Sequence, residues 1–106
     1  MGARNYFRDA IAADSANKEA WEKIGDLYYQ SFDDCKKQDN YADDRLVYLA
    51  AYDMYQRSGD AKKMAAAKAQ FPSKEELFTQ GYEAGSTMRV GCWINETTTV
   101  RLKDKE

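Results

Sequence analysis

The chain has 106 residues, of which 43% are apolar and 32% charged, with one proline and a net charge of −2. That describes a single helix-leaning domain rather than a disordered tail, and it lacks the clustered lysine and arginine excess that nucleic acid requires. There is no histidine, which removes Ser-His-Asp and Cys-His mechanisms and histidine-based zinc sites. No apolar run approaches the length of a membrane span.

In chain order, Arg4 to about Ala13 predicts a short amphipathic helix carrying Tyr6, Phe7, Ala10 and Ile11. Ser15 or Asn17 is suited to cap a second helix over Lys18 to Ser31. In that helix Trp21, Ile24 and Tyr28 recur at three and four residues and form one apolar stripe with Leu27 at its edge. Gly25 lies inside the stripe. A helical glycine costs roughly 1 kcal/mol relative to alanine, so its presence predicts that a neighbouring helix backbone passes close by.

The spacing Trp-x-x-Ile-Gly-x-x-Tyr over Trp21, Ile24, Gly25 and Tyr28 resembles the first helix of a tetratricopeptide repeat, and Ala3, Phe7 and Ala10 resemble the small-aromatic-small face of its second helix. Ser15 stands where that family usually has proline. The resemblance covers about Ala3 to Gln30 and then loosens. It implies a mainly α fold of antiparallel helical hairpins of α-solenoid type, with residues 1–71 forming about one and a half repeats, with an insertion near 32–40. Residues 72–106 would be a C-terminal capping helix and β-hairpin. On this reading the chain starts inside a repeat and is expected to be the C-terminal piece of a longer protein.

Past the insertion, Tyr41 to Arg57 predicts one helix with Leu46, Leu49, Ala50 and Met54 as its buried stripe and Ala51, Tyr55 and Ser58 echoing the repeat pattern. Gly59 and Asp60 read as a helix stop and the next helix's cap. Ala61 to Gln70 predicts an alanine-rich helix in which Ala61, Ala65, Ala66 and Ala69 permit close approach beside the anchors Met64 and Phe71. Pro72 ends it. Ser73 to Glu76 has capping-box spacing and opens a short helix with Leu77, Phe78 and Tyr82, closed by Gly85. Thr87 to Ile94 and Thr97 to Leu102 predict two strands joined by a two-residue turn at Asn95-Glu96, with Met88, Val90, Cys92 and Ile94 on one face and Arg89, Gly91 and Trp93 on the other. The tail also looks like the end of uncharacterised bacterial tetratricopeptide proteins. Lys103 to Glu106 is expected to fray.

The resemblance implies a protein–protein interaction scaffold that holds a peptide in a helical groove, with Glu19, Glu22, Asp26, Tyr29 and Gln30 facing it. That face is acidic, so a basic or polar peptide is the expected partner. The alternative is a structural cap of a longer array that self-associates through its hairpin edge, giving a homo-oligomer. No catalytic residue and no cofactor is expected, because without histidine neither Cys35 nor Cys92 has an activating base. The two cysteines are either free thiols, the default in the cytoplasm, or one disulfide in an exported setting such as the bacterial periplasm. Asp33, Asp34, Asp39, Asn40, Asp43 and Asp44 lack calcium-loop spacing and read as caps and loop carboxylates, not a metal site. Asn95-Glu96-Thr97 matches a glycosylation acceptor but reads as a turn, and Trp93 is expected in the core rather than as a binding anchor.

Overall fold

The computed structural model describes residues 2–38 and 41–103. It is mainly helical with one small antiparallel sheet: α1 (Gly2–Ala13), α2 (Lys18–Tyr29), α3 (Phe32–Cys35), α4 (Tyr41–Asp44), α5 (Leu46–Ser58), α6 (Ala61–Lys68), α7 (Lys74–Thr79), β1 (Thr87–Val90) and β2 (Glu96–Thr99). α1 packs on α2, α2 on α5 and α5 on α6, so these helices lie side by side in chain order. The expected caps form. Asn17 accepts from the Ala20 amide and Asp60 from the Lys63 amide, while Ser73 and Glu76 make a reciprocal capping box. Each satisfies amides that the first helical turn leaves without partners.

The main core lies between α2 and α5. Ile24 and Tyr28 meet Leu46, Leu49, Ala50, Met54 and Tyr55, and Phe71, Val90 and Ile94 close it from the C-terminal side. Gly25 is buried here. A Cβ built on it would stand 2.6 Å from the Tyr55 ring and 3.2 Å from the Met54 Cβ. The close neighbour is therefore an aromatic side chain of α5 and not its backbone. Replacing the glycine would push on a ring whose hydroxyl is already bonded to Asp26 at 2.8 Å. A second, smaller core of Ala42, Leu77 and Val100 lies beneath α7.

Several expected boundaries shift. The single helix from Tyr41 to Arg57 is two, divided at Arg45, where bonds from the Arg45 amide to the Ala42 carbonyl and from the Tyr48 amide to the Arg45 carbonyl tighten one turn to three-residue spacing. The stretch read as a plain insertion contains α3, with its Cys35 and Lys36 amides bonded four residues back. In α6 the buried alanine is Ala67, while Ala61, Ala65, Ala66 and Ala69 face solvent. Four alanines in an eight-residue helix, with a fifth at its C-cap, leave no contrast from which to read a register.

α7 ends at Thr79, and Gly81 with φ +76 closes it through a Tyr82 amide bond to the Leu77 carbonyl at 2.9 Å. Gly85, also left-handed, instead turns the chain into β1 and donates to the Val100 carbonyl at 2.8 Å. The strands are shorter than expected and pair Thr87 with Thr99 through Val90 with Glu96. Residues 91–95 form the connecting loop in place of an Asn95-Glu96 turn, with Cys92 and Asn95 at positive φ. The expected alternation stops at Val90: Cys92 is exposed, and Ile94 returns to the core. Residues 39, 40 and 104–106, on which capping and fraying expectations rest, lie outside the described residues.

Candidate functional site

The acidic face of α2 is closed by α6. The Lys63 Nζ lies 2.5 Å from a Glu22 oxygen and 3.0 and 3.1 Å from the two Asp26 oxygens, and Asp26 also accepts from the Tyr55 hydroxyl. The hydrogen bond to Glu22, reinforced by Asp26 against a partial loss of hydration, holds the Lys63 ammonium above its ordinary pKa. Burial, then the Asp26 carboxylate, pushes the Tyr55 phenol up as well. Tyr29 stands edge-on to Tyr48 at 5.2 Å, and Gln30 caps α2 through its own amide. Glu19 is exposed in the first turn. Of the five groove candidates, the structure brings Glu22 and Asp26 together, but around a lysine of the same chain, and leaves Glu19 and Gln30 at the two ends of the helix.

The repeat-signature residues divide in the same way. Ile24, Gly25 and Tyr28 are buried, whereas Trp21, Phe7 and Ala10 are half-buried and Ala3 is exposed. The residue that α1 buries most is Arg4, 9% exposed. Its guanidinium donates to the Ile94 carbonyl at 2.6 Å and to the Tyr28 hydroxyl at 3.1 Å, and lies 5.0 Å from the Trp93 ring. Tyr28 donates in turn to Glu96, and Arg8 reaches the same carboxylate at 2.7 Å. Burial and the adjoining Glu96 raise the Tyr28 phenol, with Arg4 opposing. Trp93 is half-buried against this cluster and donates to Ser31 at 2.9 Å, so it packs on the core, as expected. The sequence contains no cue to the Arg4 cluster, because an arginine on an amphipathic helix reads as solvent-facing.

Cys35 and Cys92 form a disulfide with a Cα–Cα distance of 5.8 Å that joins α3 to the hairpin loop. The Asp44 carboxylate accepts from the Lys37 and Gln38 amides at 2.8 Å, and Asp33 pairs with Lys36 at 3.2 Å. These carboxylates organise the loop. Asp39 and Asn40 lie outside the described residues, among which no cluster of three metal-ligating side chains occurs.

One open surface is apolar. Beside α7, Leu77, Phe78, Tyr82, Ala84 and Leu102 line a cleft of about 550 Å³, within the range of ordinary ligand sites, with Glu75, Glu83 and Lys74 at its rim. Phe78 is 82% exposed. The cause is local: Leu77 and Phe78 are adjacent on a six-residue helix, and only Leu77 turns into the small core beneath it. The signal in the sequence was that adjacency, since two neighbouring positions on a helix cannot both face one core. Comparison with family models, curated proteins and solved structures finds no match to this chain, and its functional reading rests on these surfaces.

Proposed function

We propose that this chain is a non-catalytic protein-interaction module built on a tetratricopeptide-like helical stack, and that it docks an apolar, basic-flanked segment of a partner protein in the cleft beside α7. The observation that carries the reading is Phe78, a large aromatic side chain held in solvent over an apolar cleft by a helix whose own cap is fully satisfied. The serial packing of α1, α2, α5 and α6 and the Gly25–Tyr55 contact support the repeat architecture. Glu75 and Glu83 against Lys74 give the rim a net negative charge, which favours lysine or arginine beside the apolar anchor. Because Lys63 occupies Glu22 and Asp26, the α2 face is a weaker candidate for the same basic partner. The disulfide supports an exported setting over the cytoplasm.

The test is selection from a random peptide display library on the full chain. The expected result is enrichment of peptides with one large apolar residue next to lysine or arginine, whose binding is lost in Phe78→Asp and weakened by Glu83→Lys. Enriched peptides that bind Phe78→Asp equally well, or no enrichment at all, would overturn the reading.

A further inference from the structure

A separate groove of about 280 Å³ lies between α1 and α5 over α2 and is bounded by β2; its apolar lining is Ile11, Trp21, Ile24 and Met54. Trp21 and Ile24 lie on the side of α2 turned away from Glu22 and Asp26, so Lys63 does not occupy this groove. The polar lining is Arg8, Arg57 and Glu96.

The charges do not balance. Glu96 is answered by Arg8 at 2.7 Å and by Arg4 at 3.8 Å, and also accepts from Tyr28. Arg57 adds a second guanidinium to the lining. Its Cζ lies 5.0 Å from the Trp21 ring and its Nη1 3.9 Å from the Met54 sulfur, and among the described residues it reaches no carboxylate. Asp53, one turn back on α5, is taken by Arg101 at 2.8 Å and by the Thr98 hydroxyl at 2.6 Å. Nor is the buried cluster saturated with acceptors, since the Arg4 Nε has no hydrogen-bond partner. Within the lining, two guanidiniums against one carboxylate leave an excess of one positive charge beside an apolar wall.

A guanidinium resting on an indole presents its N–H groups as a planar fork that matches a carboxylate. One excess positive charge answers a single carboxylate, since Arg8 is already engaged by Glu96, and Glu96 would repel a dianion more than a monoanion. The volume of about 280 Å³ lies just below the range of drug-sized ligand sites, roughly 300–1,000 Å³, and so suits a small molecule. We propose that this groove binds a small free arylalkyl monocarboxylate, its apolar body against Ile11, Trp21, Ile24 and Met54 and its carboxylate on Arg57.

The experiment is an NMR titration of the full chain with hydrocinnamate and, separately, with the uncharged hydrocinnamamide, following the Trp21 indole N–H and the Met54 methyl. Hydrocinnamate is expected to shift both signals and to bind about tenfold or more tightly than the amide, the discrimination that a charge-assisted hydrogen bond supplies. Arg57→Gln should abolish that preference, Arg101→Gln should keep it, and Phe78→Asp should leave it unchanged, which separates this groove from the α7 cleft. Equal binding of acid and amide would overturn the proposal, as would no binding at millimolar ligand or a preference that survives Arg57→Gln. Binding of only a peptide ending in phenylalanine, with no response to free hydrocinnamate, would overturn the assignment to a small molecule.

Discussion

Between α2 and α5 the contact is made of side chains that recur at helical spacing, Ile24 and Tyr28 against Leu46, Leu49, Ala50 and Met54, and no single one of them holds the pair together. The hairpin is attached differently. It sends Val90 of β1 and Ile94 of the connecting loop into that core, but much of its hold comes from individual polar and covalent links: Cys92 to Cys35, the Ile94 carbonyl to Arg4, Glu96 to Arg8 and Tyr28, Trp93 to Ser31, and Thr98 and Arg101 to Asp53. A two-stranded sheet is marginal alone, so each of these links carries a larger share than any one helix contact does. The helical stack should lose stability gradually under substitution, and the hairpin abruptly.

The largest effect should come from the disulfide. Cys35→Ser opens a link across 57 residues, and loop-closure entropy puts its loss at about 4 kcal/mol. Amide exchange should show β1 and β2 losing protection before α2 and α5, and equal loss everywhere would refute the contrast. Arg4→Met comes next, at about 3 kcal/mol, because it leaves Glu96 and the Ile94 carbonyl in a half-satisfied buried cluster. The same exchange pattern should appear, measured beside the urea midpoint.

Gly25→Leu attacks the other region. Its side chain would collide with a Tyr55 ring that is tied to Asp26, and overpacking of this kind costs about 2 kcal/mol. Here α2 and α5 should lose protection together with the rest of the chain, and an unchanged melting temperature would show that the ring moves aside freely.

Lys63→Met should cost less than about 1 kcal/mol, because the ammonium is more than a third exposed and solvent screens the pair. It has a clearer signature in pH. Lys63, Tyr28 and Tyr55 all hold their protons more tightly folded than their ordinary values of 10.5, 10.0 and 10.0. Their contributions are complete below about pH 10 and are lost as pH rises through the raised folded values. Urea midpoints should therefore fall above about pH 10, and less steeply in a Lys63→Met, Tyr55→Phe variant; identical curves would rule out the network as the cause.

How far these features were legible follows from the same contrast. The α2 stripe and the caps at Asn17, Asp60 and Ser73 depend on residues close in sequence, and periodicity or capping chemistry exposes them; Gly25 signalled a close neighbour, but not that it would be the Tyr55 ring in place of a backbone. The α6 register did not show, because Ala65, Ala66 and Ala67 are chemically the same and only the surface of α5 selects the third. The disulfide stayed an open alternative, since whether Cys35 meets Cys92 depends on where α3 and the hairpin loop come to rest. Arg4 was missed for a related reason: its partners, Ile94 and Glu96, lie some ninety residues away. The expected groove on α2 included Glu22 and Asp26, but helical periodicity could not show that Lys63 would reach them from α6. Phe78 was assigned to the short helix without a face, because the placement of Leu77 over Val100 decides which of the two points outward.

The bond from Arg4 to the Ile94 carbonyl also orders events in time. It joins the first helix to almost the last structured element, so the most buried side chain of α1 has no partner on its far side until the tail has left the ribosome. Contacts of that separation form late, because the whole intervening chain must first be brought into a loop. During synthesis α1 is thus a helix resting on α2 with its guanidinium answered by Tyr28 alone, and the cluster is completed only when Ile94 and Glu96 emerge. A chain interrupted before the hairpin would present that unfinished surface for as long as it survived, which makes hairpin formation the step that completes the packing of α1.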